Sequence, residues 1–521
     1  MLLASLSQLV YARYASTEPW PMFRHDLSRT GTVTSAAPEN NQTLLWSHGR
    51  STTEPHIVVD GVVIIVSSTS LYALDETTGV EVWHSISYPA ALTTSPAYYD
   101  GRIYVGSSTG YLYCLNATTG AEIWGYQTEG SSQIESSPAV YNGKVYFGTN
   151  AGYLYSLNAT SGLYSARYTA PDDIRTAPTI SGDMLYFGCE DGKLYALNIS
   201  QTLFSLKWTY TTGNPIRCTP TVDDEKIYFG SQSNEHSVLA LDKTTGALVW
   251  KFTFTYMYTN IDNPLVISNG VVYVAPSSGT TKVYALYANA TPGTYGEADP
   301  AIQIWSYSLT SYATPPVVAD NKIYFGASYK LYALDTANGQ TIWTYDFSPY
   351  YPIDPIVADG RLFVHTSSTT FCFGSPFPPV TYYYTVTPVP GYTYTIELTL
   401  NATPSNQLDI AGLVTLKKIS YNVTGIEGTT GMSNITIPNE MLGGPYTVTV
   451  DDGLPMDPPG VIISFNATHT SLCFAYMHST HVIEIEGTTA IPEYPTTNLL
   501  IMLLATSLIA IALARRKSSK I

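Results

Sequence analysis

The sequence predicts an all-β chain: an eight-bladed β-propeller of four-stranded antiparallel blades, followed by a small β-sandwich and a C-terminal transmembrane helix. Three observations carry the propeller. Between Pro55 and Ser375 a phrase close to P-x-V-x-D-G-x-I-Y-F-G-S…L-Y-A-L-D-x-x-T-G-x-x-x-W recurs eight times. Its prolines are Pro55, Pro96, Pro138, Pro178, Pro220, Pro264, Pro316 and Pro355, in steps of 41, 42, 40, 42, 44, 52 and 39 residues. Periods in this range mark propellers and solenoids, and one such copy holds four short strands. Asp60-Gly61, Asp100-Gly101, Asn142-Gly143, Asn269-Gly270 and Asp359-Gly360 share one hairpin position, where both turn residues need positive φ. Lastly, Trp46, Trp83, Trp124, Trp208, Trp250, Trp305 and Trp343 fall at one register of the fourth strand, with Tyr168 or Tyr164 filling that place in the third blade. An aromatic side chain recurring once per blade is expected to pack at blade junctions, where burying its area stabilises what one sheet cannot.

The elements follow in order. Met1 to Val10 is apolar and Val10-Tyr11-Ala12 suits signal cleavage, so residues 1–15 are expected to be the remnant of a signal peptide, although no Lys or Arg precedes the apolar run. The propeller is expected over 20–376. Its eighth copy stops at Phe371-Cys372-Phe373 without a Trp strand, while Leu44-Leu45-Trp46 stands alone near the start. Joined, the two termini complete one blade and remove two open edges. Residues 380–487, rich in alternating β formers such as Tyr392 to Leu400, read as a β-sandwich stalk. Tyr494 to Ala514 carries no charge and is followed by Arg515-Arg516-Lys517. At ~1.5 Å per helical residue it can span a ~30 Å hydrocarbon core, leaving 515–521 as a basic cytoplasmic tail.

With Trp20-Pro-Met-Phe-Arg-His-Asp26, Thr30-Gly31 and the eight copies in hand, residues 20–376 resemble the PQQ-like β-propeller repeat family. That resemblance implies the fold but leaves the activity open, because quinoprotein dehydrogenases and an outer-membrane assembly scaffold share the repeat. It further implies that the enzymes hold a quinone on the propeller axis with a disulfide between adjacent cysteines, a stacking Trp, calcium ligands and a catalytic Asp; no two cysteines are adjacent here. Ile491-Pro492-Glu493-Tyr494-Pro495 before the apolar run resembles the sorting tails of exported archaeal proteins, with Tyr494 where Phe is usual. If that holds, the helix would be exchanged for a lipid.

Charged residues make up only 12% of the chain and the formal net charge is −16, which argues against nucleic acid as a partner. Nine Asn-x-Ser/Thr sequons stand at Asn41, Asn116, Asn158, Asn198, Asn289, Asn401, Asn422, Asn434 and Asn466. Asn116, Asn158 and Asn198 replace the turn Asp seen as Asp75, Asp242 and Asp335, a position Asn and Asp serve equally well. These are therefore expected to be glycosylation sites on exposed turns.

The sequence carries no recognisable catalytic constellation. Cys114, Cys189, Cys218, Cys372 and Cys473 show no metal spacing, Cys114 and Cys372 look like small buried hydrophobes, and a Cys189–Cys218 bridge is an open alternative. Asp172-Asp173, Asp223-Asp224-Glu225 and Asp451-Asp452 read as solvated turns rather than calcium sites or catalytic pairs. His478 and His481 point to opposite faces of a strand, and Arg24-His25-Asp26 reads as structural. No phosphate loop, nucleophile elbow or zinc-protease helix is present. No catalytic, cofactor-binding or metal-ligating residue is therefore assigned.

The expectation is a non-enzymatic binding or scaffold protein on the outer face of the cell membrane, held by one C-terminal helix and offering its propeller to a protein or glycan. Tyrosine, 43 of 521 residues, suits contact surfaces. A PQQ-dependent dehydrogenase and a surface carbohydrate-active enzyme are the alternatives. An exposed apolar or aromatic patch on one face would favour the scaffold.

Overall fold

The computed structural model describes residues 19–33, 43–50, 54–232 and 235–374, together with strands between 380 and 490. The chain divides into two compact units, one ending at Ser375 and one beginning at Pro376.

The first unit is an eight-bladed propeller. Blade 4 shows the plan: Thr179–Ser181, Met184–Gly188, Lys193–Asn198 and Ser205–Thr211 pair in sequence order, each antiparallel to the last. Blades 1, 2 and 3 run from Ile57 to His84, Ala97 to Gln127 and Ala139 to Thr169. Blades 5, 6 and 7 run from Thr221 to Thr253, Val266 to Ser308 and Val317 to Asp346. Blade 8 takes Ile353–Ala358, Arg361–His365 and Thr370–Phe373 from the end of the unit and Leu44–His48 from its start, so the ring closes as the orphan strand implied. From blade 1 round to blade 8, each first strand lies next to the first strand of the blade that follows.

Side-chain alternation builds the blade junctions. In the second strand, Gly148, Gly188 and Gly230 leave room for Ile174, Ile216 and Ile261 of the following blade; a Cβ on Gly188 would lie 2.4 Å from Ile216 Cγ2. At the rim, Trp46, Trp83, Trp124, Trp208 and Trp305 lie on the next blade's turn glycine, as Trp46 does on Gly79, and these five and Trp250 donate Nε1–H to a carbonyl of that turn: Trp83 to Ala117 at 3.0 Å, Trp250 to Ala288 at 3.0 Å. Gly79 has φ +69 and a Cβ there would sit 2.6 Å from the indole, so the turn needs glycine twice over.

Three details differ from the sequence expectation. Strand register places Trp opposite an Ala or Cys, as in Ala73↔Trp83 and Cys114↔Trp124, but in blade 3 the pair is Ser156↔Ala166. Neither Tyr164 nor Tyr168 therefore fills the Trp place. Blade 4's turn has no glycine to receive an indole, and its Phe204 instead packs on Tyr146, 6.2 Å between centroids. The prolines are also not at one register. Pro96 directly precedes Ala97, which opposes Tyr104, whereas Pro55 and Pro264 stand two residues before the equivalent Ile57 and Val266. Finally, the 52-residue step inserts Gly293–Gly296, which pairs parallel to blade 5's outer strand and covers its edge.

In the second unit the described strands form two antiparallel sheets. One orders Val380–Val389, Tyr392–Leu400, Thr430–Pro438, His469–Met477 and Val461–Phe465; the other orders Thr403–Pro404, Lys418–Thr424, Thr480–Ala490 and Leu442–Val450. Ile419, Ile435, Ile437, Leu472, Ile483 and Ile485 are buried. Residues 1–15, the apolar run 494–514 and the tail 515–521 lie outside the described residues, and among those described no helix is long and apolar enough to cross a membrane.

Candidate binding face and axial channel

The inner strand of each blade would expose one unpaired edge to the axial channel, and the segment Trp20–Val33 takes up most of those donors. Trp20 and Val58 exchange two backbone bonds, 2.8 and 3.0 Å. The amides of Tyr98, Ile180, Val222, Ile267 and Val318 then donate in turn to the carbonyls of Pro21, Leu27, Ser28, Thr30 and Gly31, at 2.7–3.1 Å. These acceptors visit blades 1, 2, 4, 5, 6 and 7 at one register. Thr32–Val33 ends the run as a strand parallel to Val317–Ala319. Satisfying buried backbone donors is close to obligatory, so the segment is part of the fold and lines the axis.

Arg29 reaches the one blade in that arc that the backbone misses. It is 0% exposed, with Nη2 donating to Pro138 O at 3.3 Å and to Pro178 O at 3.0 Å, and Nη1 to Phe23 O. Burial pulls its guanidinium down to about 10. Arg24 is also buried and pulled to about 10 by desolvation, which Asp354 of blade 8 partly opposes. Burial would raise the Asp26 carboxyl, but the amide and hydroxyl of Thr30, which donate to it, and the His25 ring 3.7 Å away hold it below the usual range. Arg24-His25-Asp26 thus sits within the segment that lines the axis. Nearby, Glu54 is pushed up to about 8 by burial and by Asp354 and Glu135, and Asp354 to about 6 by burial.

The loops that lead into the inner strands share one face with the hairpins between second and third strands, and this face is uneven. Over blades 3 to 5 it carries an ion-pair chain. Arg175 contacts Glu135 at 3.0 Å, Asp173 at 2.9 Å and Glu190 at 3.7 Å, and Glu190 takes a bidentate pair from Arg217 at 2.7 and 2.9 Å. Glu135, Arg175 and Arg217 each follow the isoleucine that fills the preceding blade's glycine hole, and Asp262, at the same position, accepts from Gln232 and from Ser277 at 2.9 Å. Sequence reasoning did not single these out, although the position three before Pro138, Pro178 and Pro220 holds a charge each time, Glu135, Arg175 and Arg217.

Around blades 6 to 8 the same face is aromatic. Tyr256, Met257 and Tyr258 (53, 66 and 69% exposed) lie on the loop into blade 6, Tyr312 on that into blade 7, and Tyr350 and Tyr351 on that into blade 8. Tyr329, on blade 7's hairpin, packs against Tyr351 with centroids 4.5 Å apart and hydroxyls at 3.1 Å. Ser311 binds Ser328 at 2.9 Å, joining the Tyr312 loop to the Tyr329 hairpin.

The other residues singled out from sequence fall at turns or in packing. Asp223 accepts from the amides of Glu225 and Lys226 and from the Tyr228 hydroxyl at 2.7 Å, and Asp173 pairs with Arg175. Asp451, Asp452 and His478 lie outside the described residues. Cys189 and Cys218 are free thiols, which closes the disulfide alternative: Cys189 Sγ points to Asp172 O and Cys218 Sγ to Asn263 O, each at 3.3 Å. Cys114 and Cys372 are free and fully buried. Asn116 and Asn158 use Oδ1 to cap their turns, as Asp75 does, and Asn198 and Asn289 also lie on turns; Asn41, Asn401 and Asn466 are outside the described residues, and Asn422 and Asn434 lie on strands of the second unit.

Comparison with known proteins places this architecture. The family profile described as outer membrane protein assembly factor BamB matches residues 67–234 and 297–374. None of the curated protein sequences matches the chain. Among solved structures, BamB from Moraxella catarrhalis is 19% identical, with 65% of this chain and 99% of that one covered and a TM-score of 0.53. The quinohemoprotein alcohol dehydrogenase from Comamonas testosteroni is 17% identical, covering 71% and 83% with a TM-score of 0.56. At such identities the likeness concerns the fold, and it reaches an outer membrane protein assembly factor and an alcohol dehydrogenase alike. The repeat, the eight-fold ring closed between the two ends of the unit and the matching profile together make the propeller unit a member of the PQQ-like β-propeller repeat family.

Proposed function

We propose that this protein is a non-enzymatic binding or scaffold protein that offers the loop face of its propeller to a protein or glycan at the outer surface of the cell membrane. The observation that carries this reading is the aromatic arc of Tyr256, Met257, Tyr258, Tyr312, Tyr329, Tyr350 and Tyr351 on one sector of that face. Exposed aromatic clusters of this kind mark interaction sites, because tyrosine supplies contact area and a hydrogen bond at small entropic cost. The match to the BamB profile fits a scaffold role.

The quinone alternative has less support from this chain's own residues. Its axis is lined by Trp20–Val33 with Arg29 bonded to blade carbonyls, and Cys114, Cys189, Cys218 and Cys372 are isolated thiols. The residues present do not fit a quinone on the axis. A carbohydrate-active enzyme would need carboxylates free to act, whereas Asp173, Glu135, Glu190 and Asp223 are held in ion pairs or turn caps.

In the same reading residues 380–487 form a β-sandwich stalk, 494–514 anchor it or are exchanged for a lipid at the sorting-like motif, and 1–15 direct export. Glycans at Asn116 and Asn158 would leave the turns intact, since the amide nitrogen that accepts the sugar is not the atom that caps them.

The test is site-specific photocrosslinking in the native host, with the photoreactive residue at Tyr258 or Tyr351 and, as control, at Leu163 on a turn of the other face. Discrete adducts from the first two positions alone are expected. Equal labelling from all three, or a stoichiometric quinone spectrum on adding pyrroloquinoline quinone and calcium, would overturn the reading.

A further inference from the structure

The seam between blade 8 and blade 1 is built unlike its neighbours. In blades 2 to 5 the last residue of the second strand is a glycine filled by an isoleucine from the next blade. In blade 8 the same position is His365, opposite Thr370 in the next strand, and across the seam stands His56 of blade 1. Both histidines are 0% exposed, their ring centroids are 5.1 Å apart, and Phe363 packs edge-on to His56. Neither nitrogen of either ring, nor the buried Thr370 hydroxyl, has a hydrogen-bond partner among the described residues. Five polar atoms without partners at one buried place is a large desolvation cost, and such clusters are explained by a bound water or ion.

We propose that His56 and His365 bind a nitrogen-preferring divalent transition-metal ion that staples blade 8 to blade 1. Metal–nitrogen bonds of about 2.0–2.1 Å at a near-tetrahedral angle separate two imidazole centroids by about 5 Å, so the 5.1 Å between these rings is compatible with both reaching one ion. Both rings are fully buried, and the neutral imidazole is the form that binds a metal. Thr370 lies on the same face as His365 and offers a hydroxyl for a third position or for an ordered water. The ion would lock the junction where the strand Leu44–His48 and the strand Thr370–Phe373 complete the ring.

The probe is zinc alone. The full chain is stripped with a chelator, zinc is added back, and bound metal and the melting temperature are followed; Co2+ replaces zinc for a visible spectrum. Expected are about one tightly bound zinc per chain, a melting temperature raised by several degrees, and Co2+ bands of a four-coordinate site with two nitrogen ligands and oxygen in the other positions. His56→Gln and His365→Gln should each abolish the shift, while His84→Gln, at an exposed histidine, should keep it. No shift and only aqua-ion Co2+ bands in the unmutated protein would overturn the proposal, as would a full shift in H56Q and H365Q. The Co2+ spectrum decides even if a histidine variant fails to fold.

Discussion

Replacing Arg29 with Met tests whether the axial segment is part of the propeller's stability. Arg29 is fully buried and serves the carbonyls of Phe23, Pro138 and Pro178. Methionine keeps much of the volume but no donor, so up to three acceptors lose a charge-assisted partner in a dry channel. Each orphaned buried acceptor costs about 1–3 kcal/mol, and relief from burying the charge returns part of this. The net loss should be about 3–5 kcal/mol, a large share of a typical domain's stability. Because Arg29 tethers the segment to blades 3 and 4, the loss should appear first as local release. Trypsin cleavage after Arg24, buried at 5% exposure, then reports the opening directly. R29M should be cut there at least tenfold faster than the parent under native conditions, with Arg29→Lys intermediate because a point charge cannot fork between two carbonyls. Equal cleavage rates, with chemical stability within about 0.5 kcal/mol, would show that the segment does not depend on its buried arginine.

Three further outcomes follow from the blade junctions. Glu76 is 1% exposed, neither carboxylate oxygen has a partner among the described residues, and burial pushes it up to about 8. Its folded pKa exceeds its unfolded one, so its contribution is fully present below about pH 4.5 and lost as pH rises through 8; Glu76→Gln should gain on the parent by about 3–5 kcal/mol at most across that window in denaturant titrations, and parallel curves would refute this. Trp83→Phe should cost about 1–2 kcal/mol more than Trp343→Phe, since Trp83 donates to Ala117 whereas Trp343 Nε1 has no partner; equal melting temperatures would contradict it. Phe204→Ala should destabilise by about 2–3 kcal/mol, and Ala166→Trp should do so more in the parent than in F204A if Phe204 occupies the missing indole's space.

The repeat made most of the fold legible. Period, Asn/Asp-Gly hairpins and the Trp register are local patterns, and the orphan Leu44-Leu45-Trp46 beside an incomplete last copy was enough to foresee the closing blade, because strand edges must be paired. Single-position register was less legible. Pro55 and Pro264 look aligned with the other prolines, yet cross-strand pairing shifts them by one, since hydrogen bonding and not residue type fixes register. Tyr164 and Tyr168 flank the missing Trp in sequence, but the position opposite Ser156 belongs to Ala166.

By itself the sequence determined the all-β class, the blade count, the ring closure and the chemistry of the turns, because each follows from short-range geometry repeated eight times. Only the tertiary structure decided what the ring brings together. Arg29 meets Pro138 and Pro178, Tyr329 meets Tyr351, Arg217 meets Glu190, and His56 meets His365. These contacts join residues from different blades, or a terminal segment and several blades at once. A repeat encodes each blade against its neighbour, but which exceptions to the repeat face one another is settled when the circle closes.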